Sequence, residues 1–143
     1  MWATDETTDL WHNDALRVIR HWYHAERYPW GESYAAARDA VSLLRYGAFR
    51  RRSGGVEHVV DANTGFFRRR GEETAAANFT GAPEEFTLIE ITEDGLGVLL
   101  AEPALPSGPF RVAPDIDLAH RELLLAIRRG DDEKRVRNYG DAG

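Results

Sequence analysis

Two arginine triplets are the residues of this sequence with the greatest potential for chemistry. Arg50–Arg52 and Arg68–Arg70 each follow a short apolar run. Clustered guanidinium groups can bind an anion, a phosphate backbone or an acidic protein surface. Successive side chains of a strand point to opposite faces, so one member of a triplet must turn toward the interior or toward a carboxylate. Because 24 acidic residues are available to pair with them, salt-bridged strand ends are the simpler interpretation.

The histidines do not form a metal-binding pattern. His21 and His24 are three residues apart in a predicted strand, which places them on opposite faces. His58 is a lone histidine in another predicted strand, and His12 and His120 lie far from it in sequence. A metal site in a small barrel usually needs two histidines at i and i+2 together with a carboxylate. We therefore predict no metal and no cofactor.

Known catalytic motifs are also absent from the sequence. None of the four serines lies in a GxSxG elbow, and there is no GxxxxGK[ST] or GxGxxG loop. The paired acids Glu72-Glu73 and Glu84-Glu85 are interpreted as solvated groups rather than as an acid and a base. The sequence therefore predicts that the chain is not an enzyme.

Composition limits the class of protein. The 143 residues, 43% of them hydrophobic, suffice for one domain with a core. A net charge of -6 excludes a chain-wide basic field for nucleic acid. No apolar run approaches the length of about 18 residues that a membrane span requires, and there are no cysteines. These features predict a cytoplasmic protein with no membrane contact.

The elements that must position these residues are short strands. Val41–Phe49, Val56–Val60 and Thr64–Phe67 are apolar runs separated by a Ser-Gly-Gly break and an Asp-Ala-Asn break. This pattern is typical of antiparallel strands joined by hairpin turns. Ala15–His24 and Glu85–Ile91 are rich in β-branched and aromatic residues and predict two more strands. With about seven or eight short strands in all, the chain is predicted to be a small β-barrel or sandwich.

A different pattern follows these strands. Glu102–Pro109 contains three prolines and predicts a linker. Asp115–Arg129 carries apolar residues at helical spacing and predicts an amphipathic helix that Asp115 caps and Gly130 ends. The charged residues 131–143 are interpreted as a tail or as a helix cut short.

Aromatic residues provide candidates for a ligand site. Small barrels can keep an aromatic-lined mouth that admits a small molecule. The residues that we predict for such a ligand-binding lining are Arg20, Trp22, Trp30, Tyr46 and Phe67.

From Leu10 to Ile91 the chain resembles the N-terminal regulatory domain of AraC-type transcriptional regulators. The run from Leu43 to Glu73 carries most of the likeness, and the residues after Pro114 are similar to the helix that follows the barrel in that family. The matching residues are Gly47, Phe49-Arg50, Gly54-Gly55, Val60-Asp61, Phe66-Phe67 and Gly71-Glu72.

The resemblance implies a mainly β, cupin-like jelly-roll barrel over residues 10–112. It implies a flexible arm at residues 1–9 and a C-terminal dimerisation helix and tail at residues 113–143. A small organic effector would bind in the barrel, and a homodimer would form through Leu123, Leu124 and Ile127. Metal is not general in such domains. DNA would be bound only through helix-turn-helix units, which are absent from this chain.

Two alternatives remain open at this point. One is a small metal-dependent cupin enzyme, which would need histidine or glutamate ligands that converge inside the barrel. The other is a stand-alone interaction module that meets an acidic partner or RNA through the two arginine triplets.

Overall fold

The structure is a computed structural model that describes residues 5–23, 29–92, 94–95 and 108–141. Its described part contains ten strands followed by a C-terminal helix, which confirms a mainly β fold. The strands are β1 (Asp5–His12), β2 (Leu16–Tyr23), β3 (Tyr34–Ala35), β4 (Asp39–Tyr46), β5 (Phe49–Ser53), β6 (Val56–Val60), β7 (Thr64–Arg68), β8 (Glu73–Ala77), β9 (Glu84–Ile91) and β10 (Gly108–Arg111).

The strands form two antiparallel sheets that share one core. The larger sheet has the order β1-β2-β9-β4-β7-β10, and the smaller has the order β3-β8-β5-β6. Leu44 of the larger sheet packs in one buried cluster with Phe49 and Val60 of the smaller sheet, and Phe86 packs against that cluster. These contacts identify the inner face of each sheet, and the period of two along each strand then assigns the other side chains.

The N-terminal segment corrects an expectation from the sequence. Residues 5–9 were assigned to a flexible arm, but Asp5–His12 forms the edge strand β1, which pairs with β2 along its length. The side chains of this segment are polar, and strand pairing needs only backbone N–H and C=O groups. A polar edge strand therefore shows no apolar alternation, so alternation in the sequence does not predict it.

The two predicted breaks are turns, but the second does not close a hairpin: β5 and β6 pair with each other, whereas β6 and β7 lie in different sheets. Gly54 and Gly55 have φ values of 58° and 76° between β5 and β6, in the left-handed region that glycine adopts without strain. Between β6 and β7, Asp61 closes the turn. Its carbonyl oxygen accepts from Thr64 N–H at 3.0 Å and its Oδ1 accepts from Asn63 N–H at 2.9 Å.

The predicted linker is shorter than expected. Gly108 and Pro109, which the sequence predicts to be part of it, lie in β10, which pairs with β7 and with no other described strand. An edge strand accommodates proline because one side of its backbone needs no ladder partner. The rest of the linker, at residues 102–107, and His24 lie outside the described residues.

The C-terminal helix α1 runs over Pro114–Asp141. It continues past Gly130, the residue at which the sequence predicts its end. A glycine inside a helix costs only about 1 kcal/mol relative to alanine, and the next residues include good helix formers such as Glu133, Lys134 and Arg135. The chain divides into two compact units between Val112 and Ala113.

No helix in the described part of the chain is both long enough and apolar enough to cross a membrane.

Candidate functional site

Polar side chains gather at one end of the space between the two sheets. In β5 the inward positions are Phe49, Arg51 and Ser53, because Phe49 belongs to the shared core. Arg51 lies opposite His58 of β6 in the strand register. The inner face of the smaller sheet therefore changes along β5 from an aromatic residue to a cation and then to a hydroxyl group.

The inner face of the larger sheet also changes from apolar to charged residues along its strands. On its inner face, Ser42 of β4 lies between Phe66 of β7 and Leu88 of β9. At the neighbouring inward position of β4, Ala40 lies between Arg68 and Glu90. The charged residues thus lie away from the apolar cluster that contains Leu44 and Phe86.

Arg51 is the most unusual residue of this region. Its side chain is only 3% exposed, and its Nη2 lies 3.4 Å from Glu72 Oε2. The guanidinium carbon lies 4.4 Å from the centroid of the Phe66 ring. Burial lowers the pKa of Arg51, and the neighbouring Glu72 carboxylate opposes that shift. Arginine nevertheless stays charged, so the barrel holds a buried cation.

Glu72 is held in place by two donors of its own. The Ser53 hydroxyl donates to its Oε1 at 2.8 Å, and the Arg69 backbone N–H donates to its Oε2 at 3.1 Å. The sequence predicts Glu72 to be a solvated acid, and no short motif around it indicates a buried role. Its side chain is 15% exposed and faces Arg51.

Several buried polar atoms of this region have no hydrogen-bond partner within the described part of the chain. Native proteins pair most buried polar groups, so such atoms mark a place where another molecule can bind. Together with Glu72, the residues that carry them are named the inner polar cluster. The unpartnered atoms are Ser42 Oγ, Arg51 Nη2, His58 Nδ1, His58 Nε2, Arg68 Nε and Glu90 Oε1.

His58 is the neutral member of the cluster. Burial lowers its pKa, the positive charge of Arg51 lowers it further, and Glu72 opposes both effects. Near neutral pH the imidazole therefore has one N–H donor and one nitrogen acceptor. Neither ring nitrogen has a partner among the described residues, so both remain able to bind a ligand.

The depressed pKa of His58 predicts a loss of stability in mild acid. An unfolded histidine binds its proton near pH 6.5, whereas folded His58 resists it. The unfolded state therefore binds more protons below about pH 6.5, and the free energy of unfolding falls as the pH is lowered through that window. We expect His58→Gln to lose less stability than the wild-type protein between about pH 7 and about pH 5 in urea titrations. Equal losses in the two proteins would contradict the prediction, because all other titrating groups are common to both.

An open cleft lies beside the inner polar cluster. It has a volume of about 600 Å³, and Ser53 and Glu72 are among its lining residues, with Ser33, Gly54 and Gly55 nearby. Ligand sites in proteins commonly enclose about 300–1,000 Å³. Glu72 is the member of the inner polar cluster that lines this cleft, and the outward-facing Arg52 lines it as well.

Three of the predicted ligand-binding residues come together, but on the outer face of the larger sheet. The Trp22 and Tyr46 rings meet edge to face with centroids 5.5 Å apart, and the Arg20 guanidinium lies 5.9 Å from the Trp22 ring. Arg20 also pairs with Glu85, whose other partner is Arg45 at 3.6 Å. Arg20, Trp22 and Glu85 have the opposite strand parity to the inner residues. Tyr46 has the parity of Leu44, but the β-bulge between Leu44 and Tyr46 brings it opposite Glu85 on the outer face.

The other two predicted residues also point away from the barrel interior. The centroid of the Trp30 ring lies 4.0 Å from the guanidinium carbon of Arg52, whose side chain faces outward from β5. Phe67 has the opposite parity to Phe66 and packs on Phe110 with ring centroids 4.7 Å apart. The expectation that these five residues line a barrel mouth is therefore corrected. Period two fixes which residues share a face, but it does not say which face is inside.

The first arginine triplet behaves as strand alternation predicts. The middle member, Arg51, faces inward, and the two flanking arginines face outward. Arg50 Nη1 lies 3.2 Å and Arg52 Nη2 lies 3.6 Å from the Glu57 carboxylate. This pairing favours the interpretation of Arg50 and Arg52 as salt-bridged strand residues.

The residues predicted for the dimer interface lie in α1. Leu123 and Ile127 are four residues apart and share one helix face, and Leu124 follows about 100° further round. Leu118 and Leu125, which were not predicted for the interface, are seven residues apart and exposed.

Within residues 5–23, 29–92, 94–95 and 108–141, no three histidine or acidic side chains converge in an arrangement that could hold a metal ion.

No protein-family model matches this sequence, and no curated protein matches it. Solved structures are similar to it. A cupin superfamily protein from Desulfitobacterium hafniense aligns with a TM-score of 0.52 and 9% identity, covering 64% of this chain and 80% of its own. The Schizosaccharomyces pombe Cnp3 cupin domain aligns with a TM-score of 0.55 and 9% identity, covering 68% and 72%. An RmlC-like cupin from Shewanella frigidimarina aligns with a TM-score of 0.50 and 24% identity, covering 64% and 80%.

These likenesses show the fold. The two antiparallel sheets form a cupin double-stranded β-helix, so the predicted cupin-like jelly roll is confirmed. In this fold, the inner polar cluster lies inside the barrel.

Proposed function

We propose that this chain is a cytoplasmic ligand-sensing and dimerisation domain of an AraC-type transcriptional regulator, and that a small organic effector binds inside its cupin barrel. The observation that carries the proposal is the inner polar cluster, above all the 3% exposed Arg51, whose Nη2 has no hydrogen-bond partner among the described residues. The link to a regulator rests on the sequence resemblance between Leu10 and Ile91.

The cluster suits binding better than turnover. Nucleophilic catalysis needs a nucleophile within hydrogen-bond reach of a base. Neither nitrogen of His58 makes a hydrogen bond to any described residue, and neither does the Ser42 hydroxyl. The cluster can therefore hold and orient a polar molecule without an activated nucleophile, and we propose that the chain is a sensor rather than an enzyme.

The same proposal includes a homodimer through Leu123, Leu124 and Ile127 of α1. An effector changes the activity of a regulator only if it binds one conformational or assembly state better than another. The sedimentation mass of Leu124→Asp, compared with that of Leu125→Asp on a different face of the helix, tests this part.

Effector binding is tested with a broad panel of sugars, polyols, organic acids, amino acids and phosphates. A ligand at about 100 times its Kd stabilises the folded state by about 2.7 kcal/mol, which raises the Tm by about 5–10 °C in a domain of this size. We expect at least one class to raise the Tm of the wild-type protein and to leave that of Arg51→Met unchanged, as measured by thermal unfolding.

Arg50→Met is the matched control. It makes the same chemical change one residue away on β5, where the side chain faces outward. We expect Arg50→Met to keep the full thermal shift. A panel with no active compound, or an Arg51→Met protein that responds like the wild type, would overturn the barrel site. Stoichiometric iron, manganese, nickel or zinc in the purified protein would favour the metal-dependent cupin enzyme instead.

A further inference from the structure

We propose that the effector is a small hydroxylated monocarboxylate, that Arg51 binds its carboxylate group, and that this group replaces Glu72 as the partner of Arg51. This inference rests on the proposed function and names the chemical class of its ligand.

The first step is the balance of donors and acceptors in the cluster. Arg51 Nη2 and Arg68 Nε are donors without a hydrogen-bond partner among the described residues, and His58 and Ser42 each add one donor and one acceptor. Glu90 Oε1 is an acceptor without a hydrogen-bond partner among the described residues, and it lies 3.5 Å from Arg17 Nη1 in an ion pair. The two guanidinium donors therefore outnumber the one carboxylate oxygen, and the complementary ligand carries acceptor oxygens for them.

The second step is the geometry of Arg51. A guanidinium group presents parallel N–H donors in a planar fork that matches a carboxylate. The Phe66 ring, 4.4 Å away, supports that plane from one side. The fork is therefore oriented before any ligand binds, which reduces the entropic cost of binding.

The third step is the weakness of the contact between Arg51 and Glu72. Their closest approach is 3.4 Å, longer than the usual 2.7–2.9 Å of a charge-assisted hydrogen bond. Glu72 is drawn instead toward Ser53 Oγ and the Arg69 N–H. Glu72 therefore balances the charge of Arg51 without saturating its donors, and a ligand carboxylate can take its place.

The fourth step concerns the charge and the polar groups of the ligand. Arg51 and Arg68 face Glu72 and Glu90, so the cluster is close to neutral and a single negative charge is tolerated better than two. Binding the carboxylate leaves Ser42 and His58 to be partnered. A hydroxyl group both donates and accepts, as these two side chains require.

The test compares matched acids and neutral molecules by calorimetric titration of the wild-type protein. Glycerate and gluconate are the acids, glycerol and sorbitol are their uncharged counterparts, propionate lacks the hydroxyl groups, and inorganic phosphate is the alternative anion. We expect at least one hydroxy acid to bind about 10-fold more tightly than its uncharged counterpart, than propionate and than phosphate, since each good polar contact contributes on the order of one power of ten.

Three variants show how the carboxylate is held. Arg51→Lys keeps the charge but loses the fork, and we expect it to weaken acid binding about 10-fold. Arg50→Met is expected to bind like the wild type. Glu72→Gln removes the competing carboxylate and is expected to bind the acid about 10-fold more tightly. This gain cannot result from misfolding, so it separates a ligand role for the cluster from a structural one.

The outcomes distinguish the inference from the proposed function. If a sugar or polyol binds in an Arg51-dependent manner and no acid binds better, the carboxylate assignment is overturned while the sensor proposal stands. Phosphate binding as tight as that of the best acid, or unchanged acid affinity in Glu72→Gln, would also overturn the assignment. If no compound of either panel binds, both proposals fail.

Discussion

Replacing Glu72 by glutamine is expected to lower the free energy of unfolding by about 3 kcal/mol, and adding Arg51→Met is expected to restore it. In the single variant the 3% exposed Arg51 keeps its charge but loses its counter-ion. A buried charge without a counter-ion is strongly destabilising, whereas an apolar replacement of the whole pair is often neutral or favourable. The double variant is therefore expected to be at least as stable as the wild-type protein.

Urea unfolding of the four proteins of this double-mutant cycle measures the effect. The control cycle uses Arg50→Met and Glu57→Gln, an ion pair between β5 and β6 on the exposed face, where 54% and 38% of the two side chains are accessible. Exposed pairs contribute at most about 1 kcal/mol. A double variant at Arg51 and Glu72 that stays as unstable as the single variant would show that the pair itself stabilises the barrel.

The expected restoration bears on why the pair is present. If apolar side chains can replace Arg51 and Glu72 without loss of stability, the stability of the fold does not depend on the pair. Together with the unpartnered donors of the cluster, that result would favour binding as its role. The first prediction therefore connects the energetics of the interior to the proposed carboxylate site.

The sequence predicted the elements around this site better than the site itself. The strands β6 and β7 and the hairpin at Gly54-Gly55 follow from apolar runs and turn residues, which are local signals. The predicted strand Val41–Phe49 is instead divided between β4 and β5, which lie in different sheets. Alternation also predicts that one arginine of the first triplet turns inward. The identity of that arginine depends on which face of β5 meets the larger sheet, and only the packing of Phe49 against the core decides it.

The sequence does not show which face of each sheet is inside. This also explains why the predicted ligand-binding residues lie outside the barrel interior. Trp22 and Tyr46 were chosen for their chemistry, yet the register puts them opposite Glu85 on the outer face. Ser42 and Glu72 join the cluster through contacts between residues distant in sequence, for which no short motif exists. A buried hydroxyl group without a partner can be found only after the chain is folded.

Gly47→Ala is expected to destabilise the protein by about 3–4 kcal/mol, the largest effect that we predict for the addition of one methyl group. Gly47 connects β4 to β5 with a φ of 93°, a conformation that costs alanine about 1–2 kcal/mol. A Cβ at this position would also collide with the Pro83 carbonyl oxygen and approach the Glu84 Cα to 3.0 Å. Both atoms belong to the backbone, so they cannot move aside as a flexible side chain would. Forcing extra atoms into such a packed place costs about 1–3 kcal/mol more.

Gly71→Ala is the matched control for this change. Gly71 has a similar φ of 82°, but a Cβ there would meet nothing within 4 Å. Its replacement is expected to cost about 1–2 kcal/mol, from backbone strain alone. The difference between the two alanine variants in urea unfolding therefore measures the collision with residues 83 and 84. Equal losses would mean that this segment moves away freely, and that the start of β9 is not fixed against the connection between β4 and β5.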